Sequence, residues 1–230
     1  MREILLCSGG LDSFCAYHFL GKPRTVYFDL RTRYAYKEKS FVLRTVSSTI
    51  IDYSLDLSAR EEPDSYVPYR NLLLATQAAR YADKIYLIGL RDDDIADNCV
   101  EGHSKMSEIL SIFGNREVMV LSPFWAMTKE EIVRWYLCNV SSDPKGLLAT
   151  VSCYDASETN YCGNCACCFR KWVALRSNGI EIEFYNNLLM NQYGLWAQSG
   201  KYIPERNRAI MREVERYRKE SRQPWIEKFI

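Results

Sequence analysis

The chain has 230 residues, 47% hydrophobic and 26% charged, with 30 basic against 29 acidic side chains and a net charge of +1. This is a globular composition with room for one α/β domain and a small appendage; 11 glycines and 7 prolines exclude a collagen-like or linker-like chain. The balanced charge gives no general field for nucleic acid or an anionic membrane, the opening MREILLCSGG is too short an apolar stretch for a signal peptide, and no run approaches a membrane span, so the cytosol is the expected compartment.

Apolar runs alternate with helical patterns from the first residues. Ile4 to Cys7 reads as a strand, and Ala16, Phe19 and Leu20 then fall at helical spacing. Thr25 to Leu30 is a second strand. Ile51, Tyr53, Leu55 and Leu57 alternate with polar neighbours at strand period, predicting a third. Leu72, Ala75, Ala79 and Ala82 make one face of a helix, and Ile85 to Leu90 follows as the fourth strand. Glu117 to Ser122 predicts a fifth, and Thr128 opens a helix with Glu131 three residues on, a capping-box signature. Strand and helix alternating about five times predict an α/β fold, a doubly wound, mostly parallel five-stranded sheet over residues 1–140. A loop begins near Ser141 and leads into a cysteine-rich region over 141–180. The polar-aromatic tail of 181–230 is helical in pattern, as from Arg206 to Arg222, and reads as a solvated helix packed on the body.

Ligands in such sheets bind beyond the carboxyl ends of the strands. Ser8-Gly9-Gly10-Leu11-Asp12-Ser13 stands there, between the first strand and the first helix. Two glycines allow a tight turn that brings backbone amides near a ligand, the serine hydroxyls add donors, and the helix N-terminus behind favours an anion. The plainer reading is a turn in which Asp12 caps the helix. No G-x-x-x-x-G-K-[ST] occurs.

Five of the nine cysteines, Cys153, Cys162, Cys165, Cys167 and Cys168, crowd into sixteen residues. Clustered thiols in a chain of this kind predict metal ligands over disulfides. Cys153, Cys162, Cys165 and Cys168 give C-x8-C-x2-C-x2-C, which suits a closed, structural zinc site; the adjacent Cys167–Cys168 pair leaves the fourth ligand ambiguous, and an iron–sulfur cluster is the competing use of the same thiolates.

The SGGLDS sequence resembles the pyrophosphate loop of the ATP-pyrophosphatase (PP-loop) superfamily, whose adenine-nucleotide alpha-hydrolase type of fold binds ATP, transfers AMP to a substrate oxygen and holds the departing pyrophosphate. The order SGGLDS, Val67-Pro68-Tyr69-Arg70-Asn71, Pro123 to Glu131 and SCYDASETNYCGNCACCFR resembles more narrowly the QueC family, over roughly residues 3 to 175. That family's zinc motif selects Cys168 over Cys167. The resemblance implies an ATP-dependent carbon–nitrogen ligase that converts 7-carboxy-7-deazaguanine and ammonia to 7-cyano-7-deazaguanine through adenylated intermediates, with Mg²⁺ expected beside ATP and a homodimer as the assembly. Ser8, Gly9, Gly10, Leu11, Asp12 and Ser13 are the implied ATP-binding residues, and Asp12, Arg70 and Lys129 the implied catalytic ones, with Asp12 also a candidate for magnesium or a helix cap.

Four departures from the family pattern stand out. Asp29-Leu30-Arg31-Thr32-Arg33 replaces D-Y-G-Q-R, Val67-Pro68-Tyr69-Arg70-Asn71 replaces VPGRN, and an acidic stretch through Asp92, Asp93, Asp94 and Asp97 replaces a glycine-containing one, while the tail after residue 180 is longer than usual. Arg33, Asp94 and Asp97 are the expected substrate contacts, the acidic stretch meeting donors of a purine-like ring; the alternative is a solvated acidic loop. An amide-forming variant, a tRNA-thiolating enzyme and a non-catalytic nucleotide-binding module are the other readings. His18 and His103 are expected to be solvated, and Trp125, Trp135 and Trp172 to belong to the core.

Overall fold

Five short strands form the centre of the computed structural model, which describes residues 1–93, 95–153, 155 and 161–221. β1 (Glu3–Leu6), β2 (Thr25–Phe28), β3 (Ile50–Asp52), β4 (Lys84–Tyr86) and β5 (Met119–Leu121) lie in the order β3-β2-β1-β4-β5. Every neighbouring pair is parallel, with Leu5 opposite both Thr25 and Tyr86 across the central strand. Parallel strands are covered on both faces, which is why β2 can be buried at all four positions.

The side-chain period of two sorts the strands into two cores. Ile4, Leu6, Val26, Phe28 and Ile85 point to one face, where Ala75 and Ala78 of α3 (Arg70–Ala78) and Met106 and Leu110 of α4 (Val100–Gly114) meet them. Leu5 and Tyr86 point to the other, against α1 (Leu11–Phe19), α5 (Lys129–Asn139) and α7 (Ala166–Arg176) through Leu11, Phe14, Ile132, Val133, Ala174 and Leu175. The chain runs from β1 outward through α2 (Ala35–Thr45) to β3, then crosses to β4, so the order reverses beside β1. A crevice opens at such a reversal, at the carboxyl ends of the strands.

The fold is thus α/β, and its doubly wound sheet is wholly parallel. α5 starts with the capping box its sequence announces: Thr128 accepts from the Glu131 amide, and Glu131 Oε2 accepts from the Thr128 amide at 2.7 Å. The third strand is shorter than its alternation predicts. Asp52 Oδ1 accepts from the Ser54 amide at 2.7 Å, a turn that ends β3, and Leu57 reaches the core without strand pairing. The helix read to Ala82 stops at Ala78.

After the short α6 (Lys145–Leu148) and α7, the tail forms α8 (Asn187–Gln198) and α9 (Pro204–Glu220). They do more than lie on the surface. Met190, Ala197, Ala209, Ile210 and Val214 pack with Phe169, Trp172 and Phe184 into a third core that also contains Cys153 and Cys168. Arg222, the far end of the helix read from sequence, lies outside the described residues. Among the described residues, no helix is long and apolar enough to cross a membrane.

Candidate active site

The Ser8–Ser13 loop leaves β1 at the strand reversal and turns at Gly9, where φ is +70°. A Cβ there would also lie 2.8 Å from the Val42 amide nitrogen of α2, so glycine is required both for the turn and for the close approach of α2. The loop is knitted by its own serines: the Ser8 amide donates to Ser13 Oγ at 3.3 Å, and Ser13 Oγ donates to the Gly10 carbonyl at 3.1 Å. Gly10 is the N-cap of α1 and carries no side chain to occupy the first amides of the helix. That leaves the helix start suited to an anion.

Asp12 stands in the first turn of α1, beyond the cap position. Both of its carboxylate oxygens accept from Lys129 Nζ at 2.6 Å. Lys129 opens α5, and its side chain is only 7% exposed. The capping box therefore sets the start of the helix that delivers this ammonium to the loop.

Two joined cavities flank the loop. The first, about 260 Å³, is lined by Ser8, Asp12 and Ser13 at one end and by Phe28, Leu30, Leu74 and Leu87 at the other, a polar end continuous with an apolar slot. Arg70 and Asn71 line its side, because α3 begins at its rim. The second, about 160 Å³, is bounded by Gly10, Lys129, Val151, Ser152, Cys153 and Cys167. Ser8, Asp12, Glu38 and Arg170 line both.

Arg170 and Glu38 went unassigned in the sequence. Arg170 was visible only as the final residue of the cysteine-rich motif. In the fold, its guanidinium bonds Asp93 Oδ1 at 2.8 Å and Asp92 Oδ2 at 3.2 Å. Burial alone would lower its pKa, but Asp93, Asp92 and Asp12 outweigh that and hold it above the usual value. Glu38 sits on α2, in a charged run that gives no sign of facing inward.

The acidic stretch is therefore not a solvated loop where it is described. Asp92 is buried, and Asp93 Oδ2 also accepts from the Leu90 amide and Asn98 Nδ2, each at 3.0 Å. Asp97 stands one step behind the first cavity, accepting from Asn71 Nδ2 at 3.1 Å. Asp94 lies outside the described residues. Arg33 is turned away from both cavities: it donates to Glu61 Oε1 at 3.0 Å and to the carbonyls of Glu62 and Pro63. His103 is buried, contrary to expectation. It packs edge-on to Trp125 at 4.8 Å, and burial, only partly offset by Asp97, lowers its pKa to about 4. Trp172 is fully buried, as expected of a core residue.

The Sγ atoms of Cys153, Cys162, Cys165 and Cys168 all lie within 4.8 Å of one another. Cys165 is the N-cap of α7, accepting from the Cys168 amide, so the helix start fixes two of the four thiols. Cys162 and Cys168 are 3.8 Å apart. A tetrahedral ion with bonds of about 2.3 Å to sulfur sets its ligands ~3.8 Å apart, so this group could hold a metal ion. Hydrogen bonds from Cys153, Cys167 and Cys168 keep the Cys165 thiol well below the usual range, the behaviour of a ready thiolate ligand. Cys167 is not in the group and faces the second cavity instead. Lys37 Nζ lies 3.7 Å from Cys153 Sγ, joining α2 to the cluster.

Two departures from the family motif fall at left-handed backbone positions. Arg31 (φ +58°) and Tyr69 (φ +60°) stand where the motif carries glycine, and both adopt the left-handed conformation that glycine serves.

The chain is similar in sequence to known proteins. The family model described as queuosine biosynthesis protein QueC matches residues 28–179. A protein of Rickettsia felis named 7-cyano-7-deazaguanine synthase is 31% identical over 130 residues, 52% of this chain and 56% of that protein. Proteins of the same name are 28% identical in Leptospira interrogans, over 78% of this chain and 88% of theirs, and 27% identical in Methanospirillum hungatei, over 79% and 97%. The chain thus spans little more than half the length of the Rickettsia relatives.

Proposed function

The chain belongs to the QueC family, and from that premise we propose that it is an ATP-dependent carbon–nitrogen ligase acting on a carboxylated deazapurine, 7-carboxy-7-deazaguanine, with ammonia as nitrogen donor. The observation that carries this reading is the seam between the two cavities, where a phosphate-type loop, a buried lysine and an arginine converge beside a four-thiol cluster. ATP would lie in the first cavity, its base against Phe28, Leu30, Leu74 and Leu87 and its phosphates on the Ser8–Ser13 loop. The acidic substrate would enter the second cavity toward Lys129.

A carboxylate is inert to ammonia, and transfer of AMP to it creates a leaving group. Charge then builds on the bridging oxygen and the departing pyrophosphate. The loop amides, Lys129 and Arg170 are preorganised donors for that charge. Arg70, at the rim beside Tyr34 and Glu38, is placed for the nucleotide. Asp12 orients Lys129 through its two short bonds and offers an oxygen to Mg²⁺ accompanying ATP. Zinc, bound by Cys153, Cys162, Cys165 and Cys168, would have no open position and would act structurally, fastening the wall of the second cavity to α7. A second adenylation, on the amide oxygen, leads to the nitrile.

The test is mass spectrometry of the protein incubated with ATP, Mg²⁺, ammonium and 7-carboxy-7-deazaguanine. Nitrile with AMP and pyrophosphate is the expected result. Amide alone would identify an amide-forming enzyme, and absence of both products with ATP intact would overturn the reading.

A further inference from the structure

The seam between the cavities is lined by Ser8, Asp12, Glu38 and Arg170. Under the reading just given, it is where an acyl carbon attached to AMP must sit, because it alone touches both the nucleotide space and the substrate space. Three of the four have evident tasks with negative charge: Ser8 in the loop, Arg170 as a cation, and Asp12 as the orienting partner of Lys129. Glu38 has none. A carboxyl group facing a site that gathers phosphate and carboxylate meets repulsion that Arg70 beside it offsets only in part, and its use there is to take a proton away.

We propose that Glu38 is the proton acceptor for the attacking amine, an assignment that rests on the ligase reading. The step is balanced as follows. The lone pair of ammonia forms the C–N bond while the carbonyl π pair moves onto oxygen. The cationic nitrogen gives one proton to the Glu38 carboxylate. The oxyanion then collapses, breaking the C–O bond to phosphorus-bound oxygen, and AMP leaves with the bonding pair. The products are the amide, AMP and a protonated Glu38 that releases its proton to solvent.

The geometry supplies the aim. α2 is pressed against the loop at Gly9, where a Cβ would lie 3.2 Å from the Glu38 carbonyl oxygen, so Glu38 cannot move independently of the phosphate loop. Tyr27 Oη, on β2, donates to Glu38 Oε2 at 3.2 Å and to the Ala35 carbonyl at 3.1 Å, fixing the carboxyl against its own helix. The other charged or titratable groups around it include Asp29 after β2, Tyr34 ahead of α2 and Arg70 on α3, with Asp12, Asp93, Lys129, Arg170 and the thiols of Cys7, Cys153 and Cys167 lining the same cavities. Burial pushes the carboxyl up to about 7, against the lowering effects of Arg70 and the Tyr27 hydrogen bond, with Asp29 adding to the rise. A group poised there is part ionised at neutral pH and suits transfer from an amine.

The experiment separates the two half-reactions in Glu38→Gln. Substrate-dependent exchange of labelled pyrophosphate into ATP, measured without ammonium, reads adenylation; amide formation reads the amine step. The expected result is exchange within about 2-fold of wild type with amide formation down about 100-fold. Hydroxylamine, whose adduct carries a more acidic cationic nitrogen and so needs less help in losing its proton, should recover most of the lost rate as hydroxamate. Equal loss of both half-reactions, or no loss in either, overturns the assignment. Should Glu38→Gln fail to fold, as judged by circular dichroism, Glu38→Asp takes its place; it keeps the carboxylate one methylene back and should slow only the amine step. If wild type itself shows no exchange, the ligase reading fails and the assignment with it, a result distinct from a selective defect in the variant.

Discussion

At the scale of single residues, the site depends on a few charged groups held by unusually specific neighbours. Lys129 is buried and points both hydrogen-bonded contacts at Asp12. Lys129→Ala is expected to lower pyrophosphate release about 100-fold without unfolding the chain, since Asp12 is 31% exposed and can be solvated once its partner is gone; single-turnover kinetics measure this directly. Glu38 makes a second, pH-dependent prediction. Its folded pKa of about 7 lies above the ordinary carboxylate value of 4.5. The folded state therefore binds the proton more tightly than the unfolded one, and the group's contribution to stability is complete below about 4.5 and is lost as pH rises through about 7. Glu38→Gln should raise Tm at pH 8 by a few degrees and leave it nearly unchanged at pH 4.5, a contrast that calorimetry at the two pH values reads. Tyr69 is 68% exposed and strained at φ +60°. Tyr69→Gly is expected to stabilise the fold by about 1 kcal/mol, because the relief of left-handed strain exceeds the entropy glycine adds to the unfolded chain.

Among the elements, the strands were legible and the helix orientations were not. An uncharged run that holds Val26, Tyr27 and Phe28 in a row, as in β2, is one to be covered on both sides, and the capping box of α5 is a local hydrogen-bond pattern with a local signature. The turn of the Ser8–Ser13 loop and the grouping of four thiols were legible for the same reason, since each lies within one stretch of chain. α2 was opaque: its Lys-Glu-Lys run reads as solvated, yet Lys37 is 7% exposed and reaches the thiol cluster. What turns it inward is Phe41 and Val42 docking beside Gly9, a contact across thirty-odd residues that no periodicity encodes. Arg170 was opaque likewise, its partners Asp92 and Asp93 being far away in sequence. The tail proves to be a buttress of that pair. Arg206 Nη1, on α9, donates to the Asp92 carbonyl at 3.0 Å, and its guanidinium lies 3.9 Å over the Tyr202 ring. Arg206→Ala is expected to lower kcat/KM about 10-fold through a looser Arg170, with metal content unchanged; steady-state kinetics alongside metal analysis tests it.

For the molecule as a whole, the metal group and the tail share one core. Cys153 and Cys168 pack with Phe169, Trp172, Phe184 and the inner faces of α8 and α9, so what fastens the thiols also fastens the tail. Removing a bound metal with a chelator should lower Tm by more than 10 °C and red-shift Trp172 fluorescence, and restoring zinc should reverse both. A chain in which only the cysteine loop loosened would keep the Trp172 signal.

α7 and its N-cap also carry, within a span of eight residues, two of the four clustered thiols at Cys165 and Cys168, the cavity-facing Arg170 and the tail's anchor Trp172. Each residue of an α-helix advances the face by about 100°. The helix therefore acts as a phase-locked shaft, tolerant of substitution at its exposed positions but not of a change in length. One alanine inserted between Cys168 and Arg170 would leave the sulfur cluster intact and swing Arg170 and Trp172 out of register together, so that the length of this segment, more than its composition, is what descent must preserve.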